Sequence, residues 1–173
     1  MLSLCYYGND YLRKKTREIR VFDADLKVLI SQMEEAMVEH KGVGLAAPQV
    51  GHLLRLFIVR ESVVDEKGEL QFGDIKAIIN PKLIDPSKDT EVDNEGCLSI
   101  PGVYGDVRRP IAITVAYQDP EGNCLQERFE GFNARVIMHE NDHLNGVLFI
   151  DRLEAVEKKA LEDKLRLLKK RYK

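Results

Sequence analysis

His139, Glu140 and His143 stand in the stretch Met138-His139-Glu140-Asn141-Asp142-His143, two imidazoles four residues apart with a carboxylate directly after the first. On a helix, residues i and i+4 share a face, so both rings can bind one metal ion. Glu140 can then reach a water held by that ion and take its proton. This is the helix-borne H-E-x-x-H pattern of zinc hydrolases. The alternative is a solvated helix face that happens to carry two histidines. Around the motif, however, the segment is apolar at Phe132, Val136, Ile137 and Leu144, and Val147, Leu148 and Phe149 follow. A helix buried on several sides must give His139, Glu140 and His143 partners, and a metal is the most economical one.

Cys5, Cys97 and Cys124 are odd in number and widely spaced, unlike a disulfide framework, and fit a reducing compartment. One of them could be a third ligand. Cys5 lies near the terminus and Cys124 follows the turn-forming Asp119-Pro120-Glu121-Gly122, so both read as small buried hydrophobes. Cys97 lies in Glu95-Gly96-Cys97-Leu98-Ser99-Ile100-Pro101-Gly102, where Gly96 gives room and Pro101 stiffens the segment. A thiolate on such a rigid loop suits a soft metal site; the other reading is a buried structural cysteine. A second unusual stretch, Gly42-Val43-Gly44-Leu45-Ala46-Ala47-Pro48-Gln49, is too apolar for a solvent turn. Its small residues let another backbone approach, as a bound peptide would require. It lacks the Lys and Ser/Thr of a phosphate loop, and an ordinary helix-to-strand connection is the alternative. Gln49 at its end is a neutral hydrogen-bond donor, useful to an active site.

The elements that must position these residues are legible in part. From Asp23, a plausible N-cap, apolar residues at Leu26, Leu29, Ile30, Met33, Ala36 and Met37 predict a helix ending at or before Gly42. Strands are expected over 53–59 and 75–80, with 61–73 a polar surface excursion between them. Residues 81–94, with two prolines and clustered charges, read as a short strand plus loop. Ile111, Ile113, Val115 and Tyr117 alternate, 119–122 turns, and Leu125, Glu127 and Phe129 resume the period of two, which is a hairpin. It leads through Gly131 into the metal-motif helix. Over 151–173, Leu153, Val156, Ala160, Leu161, Leu165 and Leu168 mark one amphipathic helix, and its basic end reads as a solvated terminus complementing the helix dipole.

With 173 residues and 44% hydrophobic content the chain is large enough to bury a substantial core, and one domain over 1–173 is expected. A net charge of −3 gives no basic footprint, so no sequence-specific nucleic-acid partner is expected. No apolar run approaches the roughly 20 residues that span a bilayer, and the start is a poor signal peptide. A soluble protein of the cytoplasm with no membrane partner is the expectation.

The stretches GVGLAAPQ (42–49), EGCLSIPG (95–102) and HENDHLNG (139–146), in this order and spacing, resemble the three signature motifs of the peptide deformylases. The similarity covers nearly the whole chain, from YGNDYLRK through the C-terminal helix. The chain departs from the commonest pattern at Met138, where many relatives have Gln, and over 104–107, which varies among them. Neither touches a ligand or catalytic position, so substrate preference is affected more than activity. The resemblance implies an α+β fold in which antiparallel β-sheets surround a central metal-binding helix, with an N-terminal helix and a C-terminal amphipathic helix. It implies removal of the formyl group from N-formylmethionyl nascent peptides. Carried over residue by residue, Cys97, His139 and His143 would hold one divalent metal ion, leaving the open position that marks a catalytic site. Relatives generally use Fe(II) in the cell and work with Ni or Co, while a Zn form is common in purified protein. Glu140 would be the general base, and the Leu98 N–H and the Gln49 amide would form the oxyanion hole. Gly44 would pair with the peptide backbone, and Val43, Phe132 and Val136, with the stem of Arg135 nearby, would wall the methionine pocket. Glu95 and Arg109 would form an ion pair steadying the Cys97 loop.

Two rival readings come from other classes. In an H-E-x-x-H metallopeptidase the third ligand is usually a downstream Glu or His, whereas here the best candidate is an upstream thiol. A non-enzymatic zinc-binding interaction module would close its site with four protein ligands, and His40 and His52, the remaining histidines, read as surface residues. A transient ribosome contact through the basic end of the C-terminal helix is compatible with catalysis.

Overall fold

The structure is a computed structural model and describes residues 2–172. Helix α1 (Ala24–Glu39) starts where Asp23 accepts a hydrogen bond from the Leu26 N–H, and it buries the stripe Leu26, Leu29, Ile30, Met33, Ala36 and Met37. The stretch read as an apolar loop is instead partly extended: β1 (Gly44–Ala46) pairs antiparallel with β2 (Leu56–Val64), and Ala47–Val50 form a 3-10 turn. These residues are buried, so their backbone groups have no water to turn to and take partners from a neighbouring strand.

Strands β2 and β3 (Leu70–Ile84) are longer than their apolar cores predict. Residues 61–73 are not an excursion; most of them belong to the two arms of a hairpin paired at Ser62, Val63 and Val64 with Phe72, Gln71 and Leu70. Only the turn around Asp65 and Gly68 is loop, held by the Asp65 carboxylate accepting from the Lys67 and Glu69 amides. The polarity that reads as loop reflects an exposed two-stranded ribbon. Similarly, 81–94 contains the end of β3 and the start of β4 (Thr90–Gly96). Strand β5 (Tyr104–Pro110), which no apolar alternation announces, pairs with β4 in a two-stranded sheet. Its period of two is carried by buried Gly105, Val107 and Arg109 between exposed Tyr104, Asp106 and Arg108. Strands β6 (Ala112–Gln118) and β7 (Cys124–Glu130) form the expected hairpin. Cys124 at its return is exposed, not buried, because it faces outward on an edge strand; Cys5 is half-buried.

The main sheet runs β1-β2-β3-β6-β7, antiparallel throughout. Side chains alternate across it: Leu56 and Ile58 of β2 meet α1, whereas Phe57 and Val59 meet α2 (Gly131–Leu144) on the other face. A third core cluster joins Ile100, Val103 and Val107 to Leu148, Phe149, Ile150, Leu153 and Leu165. The C-terminal region is not one helix. A 3-10 turn (Phe149–Asp151) precedes α3 (Ala155–Ala160) and α4 (Glu162–Arg171), which break at Leu161. The break lets Leu153 and Leu165 both reach the third cluster and leaves Val156 exposed.

Asn80 sits where the β3–β6 register shifts, with φ +50°, and its amide accepts from the Ile19 N–H and donates to the Ile19 carbonyl and to Gln118. Asn80→Ala would strand these partners and place alanine in left-handed backbone. We expect a loss of about 2–3 kcal/mol, read as a lower denaturation midpoint at constant m-value; a change within 0.5 kcal/mol, roughly the scatter of ordinary surface substitutions, would refute the tie.

Candidate active site

Helix α2 is buried along most of its length: its apolar residues pack on the main sheet, His139 stacks on Phe149 of the third core cluster, and His139, Glu140, Asp142 and His143 are all buried within it. The turn following β4 carries Cys97 toward it, closed by the Ile100 N–H donating to the Cys97 carbonyl. The Cys97 Sγ lies 3.3 Å from His143 Nε2. One donor atom from each of Cys97, His139 and His143 falls within 4.8 Å of the others.

The donor set fits a metal ion. A thiol and two imidazoles are ligands of soft to borderline divalent cations, and they converge without a fourth protein ligand among the described residues. Burial disfavours a charged imidazole at His139, yet the adjacent Cys97 and Glu95 outweigh it and raise its pKa, so the surroundings call for positive charge there. Burial pushes the His143 pKa well down, keeping that ring neutral as a ligand must be. Glu140 Oε2 is buried with no hydrogen-bond partner, as is His143 Nδ1. A buried carboxylate oxygen left open beside such a donor set is where a polarised water would be received.

Glu95 organises the surroundings. Its two oxygens accept from Arg109 Nε at 2.6 Å and Nη2 at 2.9 Å, Oε1 accepts from Arg135 at 2.8 Å, and Oε2 lies 2.9 Å from His139 Nδ1. The last contact leaves His139 Nε2 to face the thiol. Arg109 also donates to Asp142 at 3.0 Å, and Asp142 takes a bidentate pair from Arg152. Burial would raise the Glu95 pKa, but the Arg109 and His139 hydrogen bonds and charges outweigh it and hold the carboxyl well below the usual range. Glu140 lacks such donors, and burial pushes it up to about 7.

Gln49 and Leu98 flank the same point. The Gln49 Oε1 accepts from the Ala46 N–H at 2.8 Å, which turns Nε2 toward Ser99 Oγ at 3.1 Å and Cys97 Sγ at 3.5 Å. The Leu98 N–H has no acceptor among the described residues. Gly44 lies against Glu140: a Cβ there would come within 2.5 Å of Oε1. A cavity of about 570 Å³ opens beside the donor set and is bordered by Val43, Gly44, Phe132, Arg135 and Val136. The Arg135 guanidinium donates to Glu95 and to the Val107 and Glu91 carbonyls. His40 is exposed and His52 half-buried, both apart from the donor set.

Sequence reasoning passed over Asp142, Arg152 and Ser99, and did not assign Arg135 its ionic role. Asp142 had a signal, a charge within an apolar helix three residues after a ligand candidate; for Arg152 and Ser99 the sequence carries none.

The family model for polypeptide deformylases matches residues 1–159. The peptide deformylase of Thermotoga maritima is 40% identical over 165 residues, covering 95% of this chain and 94% of that protein. Among solved structures, a peptide deformylase from Synechococcus elongatus in complex with actinonin superposes with a TM-score of 0.85 at 42% identity, over 94% of this chain and 87% of that one. The peptide deformylase of Plasmodium falciparum gives 0.89 at 34% identity, over 98% and 96%. With its three motifs drawn together around one Cys/His/His group, the chain belongs to the polypeptide deformylase family.

Proposed function

We propose that this chain, acting in the cytoplasm as one catalytic domain over 1–173, removes the formyl group from the N-terminal formylmethionine of newly made proteins and releases formate. The observation that carries the reading is Glu140, a buried carboxylate with one unpartnered oxygen, standing beside the converging Cys97, His139 and His143 at the wall of a peptide-sized cavity. Family membership supports it.

A formamide is a poor electrophile, so the reaction needs a strong nucleophile near neutral pH and a place for negative charge on oxygen. A divalent cation on Cys97, His139 and His143 would supply Lewis acidity and activate a water; the resemblance favours Fe(II) in the cell, with Ni, Co or Zn in purified protein. Glu140, with a pKa of about 7, is suited to accept the proton of that water and to return it to the departing amine. The Gln49 Nε2 and the Leu98 N–H would donate to the formyl oxygen as charge develops, each worth about 3–4 kcal/mol where such donors have been deleted. The bond from the Ala46 amide holds Gln49 in place beforehand. Glu95, tied to Arg109 and Arg135, fixes the tautomer and orientation of His139.

Substrate would enter along β1. This strand stands at one end of the sheet order, so Gly44 has an edge on which a peptide backbone can pair. Val43, Phe132 and Val136, with the Arg135 stem, would receive the methionine side chain. Three protein ligands rather than four favour a catalytic over a closed structural site. The last turn of α4 carries exposed Lys169, Lys170 and Arg171, consistent with a transient ribosome contact.

Formate release from a formyl-Met tripeptide is expected from protein prepared without oxygen and loaded with Fe(II) or Ni(II). Glu140→Ala should keep its metal and lose about 10²–10⁴-fold in turnover; undiminished turnover would remove Glu140 as the base, and cleavage of an unformylated peptide bond would favour the metallopeptidase. Arg109→Ala leaves Glu95 and Asp142 short of a buried counter-charge, at about 3–5 kcal/mol of stability and about 10–100-fold in metal retention. Equal metal content after dialysis and equal turnover would exclude that role.

A further inference from the structure

The first residues and the last helix meet on the border of the cavity. The Cys5 N–H donates to the Gln49 carbonyl at 2.7 Å and the Tyr7 N–H to the Ser99 carbonyl at 2.8 Å. The N-terminal segment therefore bridges the 3-10 turn Ala47–Val50 and the turn that carries Cys97. In an extended chain the side chain between two such residues points to the other face. Cys5 and Tyr7 pack against the third core cluster, while Tyr6 turns to the cavity and borders it.

Tyr172 closes over Tyr6 from the opposite terminus. Leu161, Leu165, Leu168 and Tyr172 follow one another at helical spacing, and the first three pack on the third cluster, so the anchored stripe of α4 delivers Tyr172 to its place. The rings of Tyr6 and Tyr172 stack with centroids 4.0 Å apart and 20° between planes, and both border the cavity. Gly8 marks how closely the termini approach: its φ is +107°, and a Cβ there would come within 2.8 Å of the Lys169 side chain. Tyr6 and Tyr172 remain half-exposed; one face of each ring is taken by the other and the Arg171 guanidinium lies 5.5 Å from the Tyr172 centroid, so a further ring would join the pair at Tyr6. The cavity of about 570 Å³ is larger than one formylated residue requires, and the aromatic pair shares its border with Phe132 and Val136.

Resting on the deformylase reading above, we propose that the stacked Tyr6–Tyr172 pair is a specificity element that receives the second or third side chain of the peptide and favours aromatic residues there. An aromatic side chain extends the stack, burying apolar area and adding an offset ring contact; a small polar one gains neither. Because α4 brings Tyr172 to the site, the C-terminal turn takes part in choosing the substrate.

The test is formate release from formyl-Met-Ala-Ser, formyl-Met-Phe-Ser and formyl-Met-Ala-Phe by the metal-loaded full chain and by Tyr172→Ala and Tyr172→Phe, with thermal melting of each. The wild-type chain should favour at least one phenylalanine peptide by about three- to tenfold in kcat/KM, the scale of one aromatic contact, and the advantage should lie in KM. Tyr172→Ala should lose that advantage and Tyr172→Phe should keep it. If Tyr172→Ala does not fold, Tyr172→Leu, which keeps the apolar burial, carries the same expectation of loss. A wild-type chain indifferent to the three peptides, or an alanine or leucine variant that retains the preference, would overturn the inference. Absence of formate from every peptide with the wild-type chain would instead sink the deformylase reading on which it rests.

Discussion

Glu95 keeps a negative charge in a place nearly closed to water, and the active centre depends on how that charge is compensated. Removing an ion from water costs several kcal/mol even after relaxation, and only good geometry with full hydrogen bonding offsets it. Arg109 binds both carboxylate oxygens, Arg135 binds one and His139 the other. Arg109 continues to Asp142, and Asp142 to Arg152. The network thus joins β4, β5, α2 and the segment after α2. Cys97 follows Glu95 by two residues, and His139 is held by it directly. The spacing between thiol and imidazoles is therefore set by a buried ion network and not by the ligands alone.

Glu140 is the counterpart. It is buried like Glu95 but receives no arginine, and one of its oxygens has no partner. Two carboxylates in one centre are driven in opposite directions by their surroundings, one held ionised and one raised to about 7. Environments that separate two titratable groups in this way divide structural and acid–base roles. Gly44 belongs to the same arrangement, because any larger residue would displace the Glu140 carboxylate from the edge of β1.

The sheet makes this possible by being covered on both faces. Strand β2 sends Leu56 and Ile58 to α1 and Phe57 and Val59 to α2, so the helix bearing the ligands rests on a rigid surface and β1 stays at the end of the sheet with Gly44 on the cavity border. The third core cluster then locks α4 against the Cys97 loop. Chain segments far apart in sequence come to border one cleft, the N-terminal one stitched to Gln49 and Ser99 by backbone hydrogen bonds.

Elements whose burial is periodic and local are legible without coordinates. The α1 stripe, the β6–β7 hairpin and the histidine spacing on α2 follow from side-chain geometry along a single segment, and the motif around Cys97 announces itself by residue type. The full lengths of β2 and β3 and the existence of β5 do not, since polar ribbon residues and a buried arginine hide the strand period. Nor does the break at Leu161, which depends on where the third cluster lies. The sequence by itself determined the ligand types, the general-base candidate and the family pattern, because these are properties of residues and their spacing. Only the tertiary structure decided that Asp142 and Arg152 extend the Glu95–Arg109 pair, that Arg135 serves an ion network more than a pocket, and that Tyr6 stacks on Tyr172. Such contacts join segments that share no local periodicity, and the balance of burial and compensating charge selects them only once the chain has folded.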